Sequence, residues 1–123
     1  MQNHVKKILL VLDLDETLIY SSQNSDVTKC DFEIFEYKVI KRPYLDKFLE
    51  VCSKEFDMAV WSSATDGYVK KAVENIFPDH IPLKFVWGRS KATYKPATAS
   101  NETHYPVHFQ FIKRLKKIKS LGF

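Results

Sequence analysis

The chain has 123 residues, of which 45% are hydrophobic and 14% aromatic, enough for a packed core and too many for a disordered polypeptide. A formal net charge of +4 favours acidic partners only mildly, and two cysteines, Cys30 and Cys52, exclude a disulfide framework. The first apolar run, Ile8 to Leu12, is too short for a signal-peptide core or a membrane span. The expected setting is therefore reducing and intracellular, cytoplasmic or nuclear, with no membrane partner.

Residues 7–12 read as a strand without alternation, which suits burial on both faces in a parallel sheet. Residues 21–31 are polar and turn-rich, and residues 32–41 alternate as strand or hairpin material. Pro43 is placed to open a helix whose inward face carries Leu45, Phe48, Leu49 and Cys52. A second buried strand over 56–64 ends in small hydroxyl residues. A helix follows with Tyr68, Val69, Ala72, Val73 and Ile76 inward, stopped by Pro78. Residues 83–88 form a third strand and 89–104 a loop. From about Val107 to Leu121 the spacing of Phe111, Leu115 and Ile118 predicts a helix, with Gly122 as its stop. The alternation of strands and helices argues for one α/β domain over residues 1–123, built on a parallel sheet with right-handed crossovers. Chemistry gathers at the carboxyl ends of such strands, where Asp13–Thr17 and Ser62–Ala64 should meet.

Asp13 and Asp15, two apart in an extended segment, point the same way about 7 Å apart. Like charges so close raise each other's pKa unless a cation lies between them. Mg²⁺ suits carboxylate, carbonyl and water oxygens. A carboxylate facing a phosphate can attack it and become an aspartyl-phosphate. A second carboxyl two residues on can protonate the leaving alcohol and then activate water. The blander reading is that Asp13 to Thr17 cap the next helix. Capping needs one acceptor, however, and three acids follow a buried strand here.

"DLDETL" matches the D-x-D-x-T nucleophile motif of haloacid dehalogenase-like phosphatases. The chain resembles the branch of the small C-terminal-domain phosphatases and Nuclear LIM Interactor (NLI)-interacting factor proteins. Further matches are "VIKRPYLDKFLE", "FDMAVWSSATDGYV", "FVWGRS" and "FIKRLKKIKSLGF", in the family's order. The resemblance implies a Rossmann-like, haloacid dehalogenase-type sheet with flanking helices and a small flap after the first strand. It implies Asp13 as nucleophile and Mg²⁺ ligand. Asp15 is the general acid and base, with its carbonyl on the metal. Thr17 supports the loop and the substrate side of the site, Ser62 binds a phosphoryl oxygen, and Lys113 neutralises developing charge. Arg42 and Arg89 are candidates for substrate or structural contacts.

Each residue has a plainer reading. Ser62 can simply end a strand, and Lys113 can belong to a solvated run with Arg114, Lys116, Lys117 and Lys119. His104 and His108 stand four apart but lack a third zinc ligand. Trp61 and Trp87 read as strand-end core residues, while Tyr20 and Tyr37 suit a groove or the core equally. The family's fourth, Asp-Asp motif is missing after "KSLGF". The domain is therefore expected to be C-terminally incomplete, with the Ile8–Leu12 edge exposed and the chain alone weak or inactive. A second chain or a swapped strand is an alternative source of the missing strand. The expected function is a Mg²⁺-dependent phosphomonoesterase acting on a phosphorylated protein or peptide at serine or threonine. Alternatives are a phosphatase for small molecules or nucleic-acid ends, and a non-catalytic binding module that keeps the fold. Nucleic acid itself is not favoured as a partner.

Overall fold

The computed structural model describes residues 7–23, 28–96 and 109–122. Within them a parallel sheet forms from β1 (Ile8–Leu12), β5 (Phe56–Trp61) and β6 (Leu83–Trp87), in the order β1-β5-β6. The alternation of side chains along a strand splits β1 between two cores. Leu10 and Leu12 pack with Met58 and Val60 in the larger cluster, which contains the buried residues of helices α1 (Leu45–Glu55) and α2 (Asp66–Ile76). Leu9 and Val11 pack with Ala59, Trp61, Phe85 and Trp87 in the smaller one, which Ile118 completes. Burial on both faces is why β1 reads as an uninterrupted apolar run.

Helix α1 buries Leu45, Leu49 and Cys52, each large aliphatic side chain contributing about 1.5–3 kcal/mol. Phe48, expected on the same face, is 45% exposed; it lies at the margin of the stripe and lines a groove with Leu12, Leu18 and Tyr44. Helix α2 buries Tyr68, Val69, Ala72 and Ile76 as the spacing predicts, with Val73 partly buried against the same core.

The segment after β1 is an antiparallel three-stranded flap. It comprises β2 (Ile19–Ser22), β3 (Phe32–Ile34) and β4 (Tyr37–Lys41), in the order β2-β4-β3. Its inner residues Ile19, Ile34 and Val39 join the larger core. Strand β2 carries no alternation that would announce it, because half of its "IYSS" is serine.

The C-terminal expectation needs correction. Instead of one helix over 107–121, strand β8 (Phe109–Ile112) pairs antiparallel with β7 (Thr93–Pro96), and helix α3 covers only Lys116–Lys119. The "FQFI" segment is aromatic and β-branched, and a partner strand 13 or more positions earlier overrides its helical spacing. Leu115 is 73% exposed, so only Ile118 of that spacing is shown packing into a core. Part of the expected 89–104 loop is likewise ordered, as a 3-10 turn over Arg89–Lys91 followed by β7. His104 and His108 lie outside the described residues. Gly122 has φ +90°, the left-handed conformation of a stop residue.

Candidate active site

Immediately after β1 the chain turns on the Leu14 carbonyl, which accepts the N–H groups of Thr17, Leu18 and Ile19 at 3.1, 2.8 and 3.2 Å. Leu14 is fully buried, and the acids on either side of it are both half-buried. Glu16, by contrast, is exposed and occupies the left-handed position of the turn (φ 66°). The three acids thus divide into two at the strand end and one that serves the turn.

Asp13 meets Lys113 across the full length of the chain. The Lys113 ammonium lies 3.1 Å from Asp13 Oδ1, the oxygen that also accepts the Leu14 N–H at 2.8 Å. Lys113 stands just past the end of β8, so the β7–β8 hairpin rather than a helix face delivers it. Asp15 is held from two other elements. Its Oδ1 accepts the Tyr68 hydroxyl of α2 at 2.8 Å and the Ser21 hydroxyl of β2 at 3.4 Å. Burial, together with the Asp15 charge, pushes the Tyr68 phenol up from 10.0 to about 12. Neither Tyr68 nor Ser21 was singled out in the sequence: Tyr68 reads as one more inward helix residue and Ser21 as turn material.

Ser62 directly follows β5 beside the β1 terminus, since Leu12 pairs with Val60. It is 1% exposed. Its N–H donates to the Trp87 carbonyl at 2.8 Å, and its hydroxyl oxygen accepts the Ala64 N–H at 3.1 Å. Arg89 braces the same corner, with its Nε donating to the Ser63 carbonyl at 2.9 Å and its N–H to the Ala64 carbonyl at 2.8 Å. Thr17 is exposed and lies on a different groove, with Arg42, Pro43 and Tyr44. Its carbonyl accepts the Arg42 guanidinium at 3.0 Å, and the Arg42 N–H donates to the Leu18 carbonyl at 2.9 Å. Arg42 therefore ties down the turn.

A cleft of about 270 Å³ opens beside Asp15, lined by Ser21, Phe35, Tyr37, Ala64, Thr65, Tyr68 and Arg89. Tyr37 thus lines a groove as well as packing edge-on against Tyr68 at 5.7 Å, while Tyr20 is exposed. Asp15 and Arg89 share this cleft; Asp13 and Lys113 form a pair beside it; Thr17 is not gathered with them. Among the described residues no set of three or more His, Cys, Asp or Glu side chains could hold a metal. The oxygens of Asp13 and Asp15 nevertheless suit Mg²⁺ in its open manner of binding, with one or two carboxylates and the rest of the shell from water and phosphate.

A family model described as NLI interacting factor-like phosphatase matches residues 8–120. The chain belongs to that family. Its relatives include the CTD small phosphatase-like protein 2 of Dictyostelium discoideum, 33% identical over 95 residues, which covers 72% of this chain and 17% of the relative. The CTD nuclear envelope phosphatase 1B of Danio rerio is 31% identical over 106 residues, covering 74% of this chain and 43% of the relative. Among solved structures, the fission yeast RNA polymerase II CTD phosphatase Fcp1 bound to beryllium fluoride superposes with a TM-score of 0.55. It is 20% identical and covers 71% of this chain and 30% of that one. This last likeness is one of fold, and it agrees with the parallel sheet and flanking helices of the haloacid dehalogenase type. The chain spans less than half the length of these proteins. Among the described residues no helix is long and apolar enough to cross a membrane.

Proposed function

We propose that this chain carries phosphomonoester hydrolase chemistry directed at phosphorylated serine or threonine in a protein. The observation that carries the reading is the convergence on one strand end of groups from distant segments: Asp13 with Lys113 at 3.1 Å, and Asp15 fixed by Tyr68 at 2.8 Å. Membership of a phosphatase family supports it. Asp13 attacks phosphorus through Oδ2, since Lys113 and the Leu14 N–H both engage Oδ1. The bond from phosphorus to the ester oxygen breaks, its electron pair stays on that oxygen, and Asp15 supplies the proton. Asp15, now a carboxylate, takes a proton from water, which attacks the phosphorylated Asp13 and releases inorganic phosphate.

Lys113 offsets the charge that builds on the transferring group. Ser62 offers its hydroxyl to a phosphoryl oxygen, and Arg89 meets the substrate at the cleft rim. Thr17 acts on the substrate side only through the turn that its carbonyl helps to close. Asp13 and the Asp15 carbonyl would hold Mg²⁺, which supplies neutralisation of phosphate charge when bound.

The curated relatives are named as CTD phosphatases, which supports a protein substrate here. So does the small flap, because an open cleft walled by Phe35, Tyr37 and Tyr68 leaves room for a polypeptide. Initial rates with phosphopeptides, nucleotides and sugar phosphates at equal concentration test this. Phosphopeptides are expected to be cleaved fastest in the presence of magnesium. Faster cleavage of nucleotides or sugar phosphates would overturn the substrate class.

A further inference from the structure

The hydroxyl groups around Asp15 carry information that the general scheme does not. Two donors from separate elements, Tyr68 of α2 and Ser21 of β2, converge on a single oxygen of this carboxyl, Oδ1, at 2.8 and 3.4 Å. A carboxylic acid that must give up a proton carries it on one oxygen, and which oxygen is decided by the neighbours. An oxygen that already accepts two O–H groups is a poor place for a proton.

We propose that Tyr68, assisted by Ser21, is a positioning residue for Asp15, reserving Oδ1 as the acceptor and leaving Oδ2 to carry the proton to the leaving group. The inference rests on the phosphomonoesterase reading above. The same contacts serve after transfer. When the phosphorus–oxygen bond breaks and the Oδ2 proton passes to the departing alkoxide, Asp15 becomes an anion, and the Tyr68 and Ser21 bonds to it strengthen.

Tyr68 is built for the task. It is 5% exposed, and its ring is braced edge-on by Tyr37 at 5.7 Å. It sits in the first turn of α2, directly after Gly67, where Phe35 of the flap packs close enough that an added Cβ would meet its ring at 3.7 Å. The test reads proton delivery rather than activity alone.

The discriminating variable is the leaving group. An alkyl phosphate releases a strongly basic alkoxide that needs the proton, whereas p-nitrophenyl phosphate releases a stable phenolate that needs it far less. The value of kcat/KM includes steps only through phosphoryl transfer to Asp13, so later hydrolysis does not blur the comparison. General acid catalysis contributes about 10²–10⁴-fold. Tyr68→Phe, which keeps the ring, is therefore expected to lose about tenfold more kcat/KM on a phosphoserine peptide than on p-nitrophenyl phosphate. Asp15→Asn should show the same asymmetry, larger. Ser21→Ala should show it in smaller measure, and it carries the test if Tyr68→Phe does not fold. Equal losses on the two esters, in a protein whose Asp15→Asn variant is asymmetric, would overturn the positioning role and leave the phosphatase reading standing. An Asp15→Asn variant that loses equally on the two esters, or loses nothing, would remove the general-acid reading and this inference with it.

Discussion

Asp13, Asp15 and Glu16 are three carboxylates within four positions, and their fates differ because their neighbours differ. Asp13 is paired with an ammonium and Asp15 with two hydroxyls, while Glu16 accepts a left-handed backbone to close the turn. Residue type and spacing could mark the first two as a pair. They could not show that a tyrosine from α2 would hold the second. Tyr68 falls in a helical stripe with Val69, Ala72 and Ile76, and nothing in that periodicity separates a core ring from a ring with a hydroxyl at work.

The raised phenol of Tyr68 also makes a prediction about stability. In the folded chain it titrates at about 12, against 10.0 for an ordinary tyrosine. The unfolded chain therefore gives up this proton first as pH rises. The contribution of Tyr68 is fully present below pH 10 and is lost between about 10 and 12. Urea midpoints of wild type and Tyr68→Phe are expected to converge over that interval. A difference that stays constant from pH 9 to pH 12 would show that the phenol is not shielded.

At the scale of elements, strands and helices with an apolar run, an alternation or a buried face were legible, the antiparallel β3–β4 pair within residues 32–41 among them, and the β7–β8 pair was not. β1, β5, α1 and α2 announce themselves because burial dictates their apolar spacing. The β7–β8 hairpin does not, since its register matches Thr93 with Ile112 and Pro96 with Phe109, a long-range choice that local spacing cannot express. The error mattered for the site, because it is the end of β8, not a helical face, that brings Lys113 to Asp13.

The joint between β6 and α2 offers a sharper test of how the elements are fixed. Gly88 is buried, and a Cβ there would stand 2.5 Å from Asp66 Oδ1, 2.9 Å from Asp66 Cα and 3.1 Å from the Ala64 carbonyl. Backbone on two sides cannot give way as a flexible side chain would. Asp66 is itself engaged, accepting the Ser90 N–H at 3.1 Å, and its hydrogen bonds to Ser90 hold its carboxyl below the usual 3.8. Gly88→Ala is expected to cost about 1–3 kcal/mol, in the manner of an overpacked interior, measured by chemical denaturation. An unchanged midpoint would show that this corner is looser than its contacts imply.

At the scale of the whole molecule, fold class and family were both readable from motif order, since five matching segments in the family's order prescribe one sheet with its chemistry at the carboxyl ends of its strands. Within the described residues β1 pairs with β5, and of its side chains Ile8 is 73% exposed while Leu12 is buried. The larger core seats α1, α2 and the flap together, so the strand-end acids stand on a packed base while the cleft walls come from the flap, the start of α2 and the 3-10 turn. Such a base lets a turn of six residues present one carboxylate to a cation and another to a pair of hydroxyls.

Covalent phosphorylation of Asp13 is the step on which every other role at the site depends. Its most direct test is mass spectrometry of the acid-quenched chain after brief exposure to p-nitrophenyl phosphate and excess magnesium. The expected result is one added phosphoryl group, located on the peptide containing Asp13 and absent from Asp13→Asn. Phosphate release at equal rates from both proteins, with no modified Asp13, would contradict it.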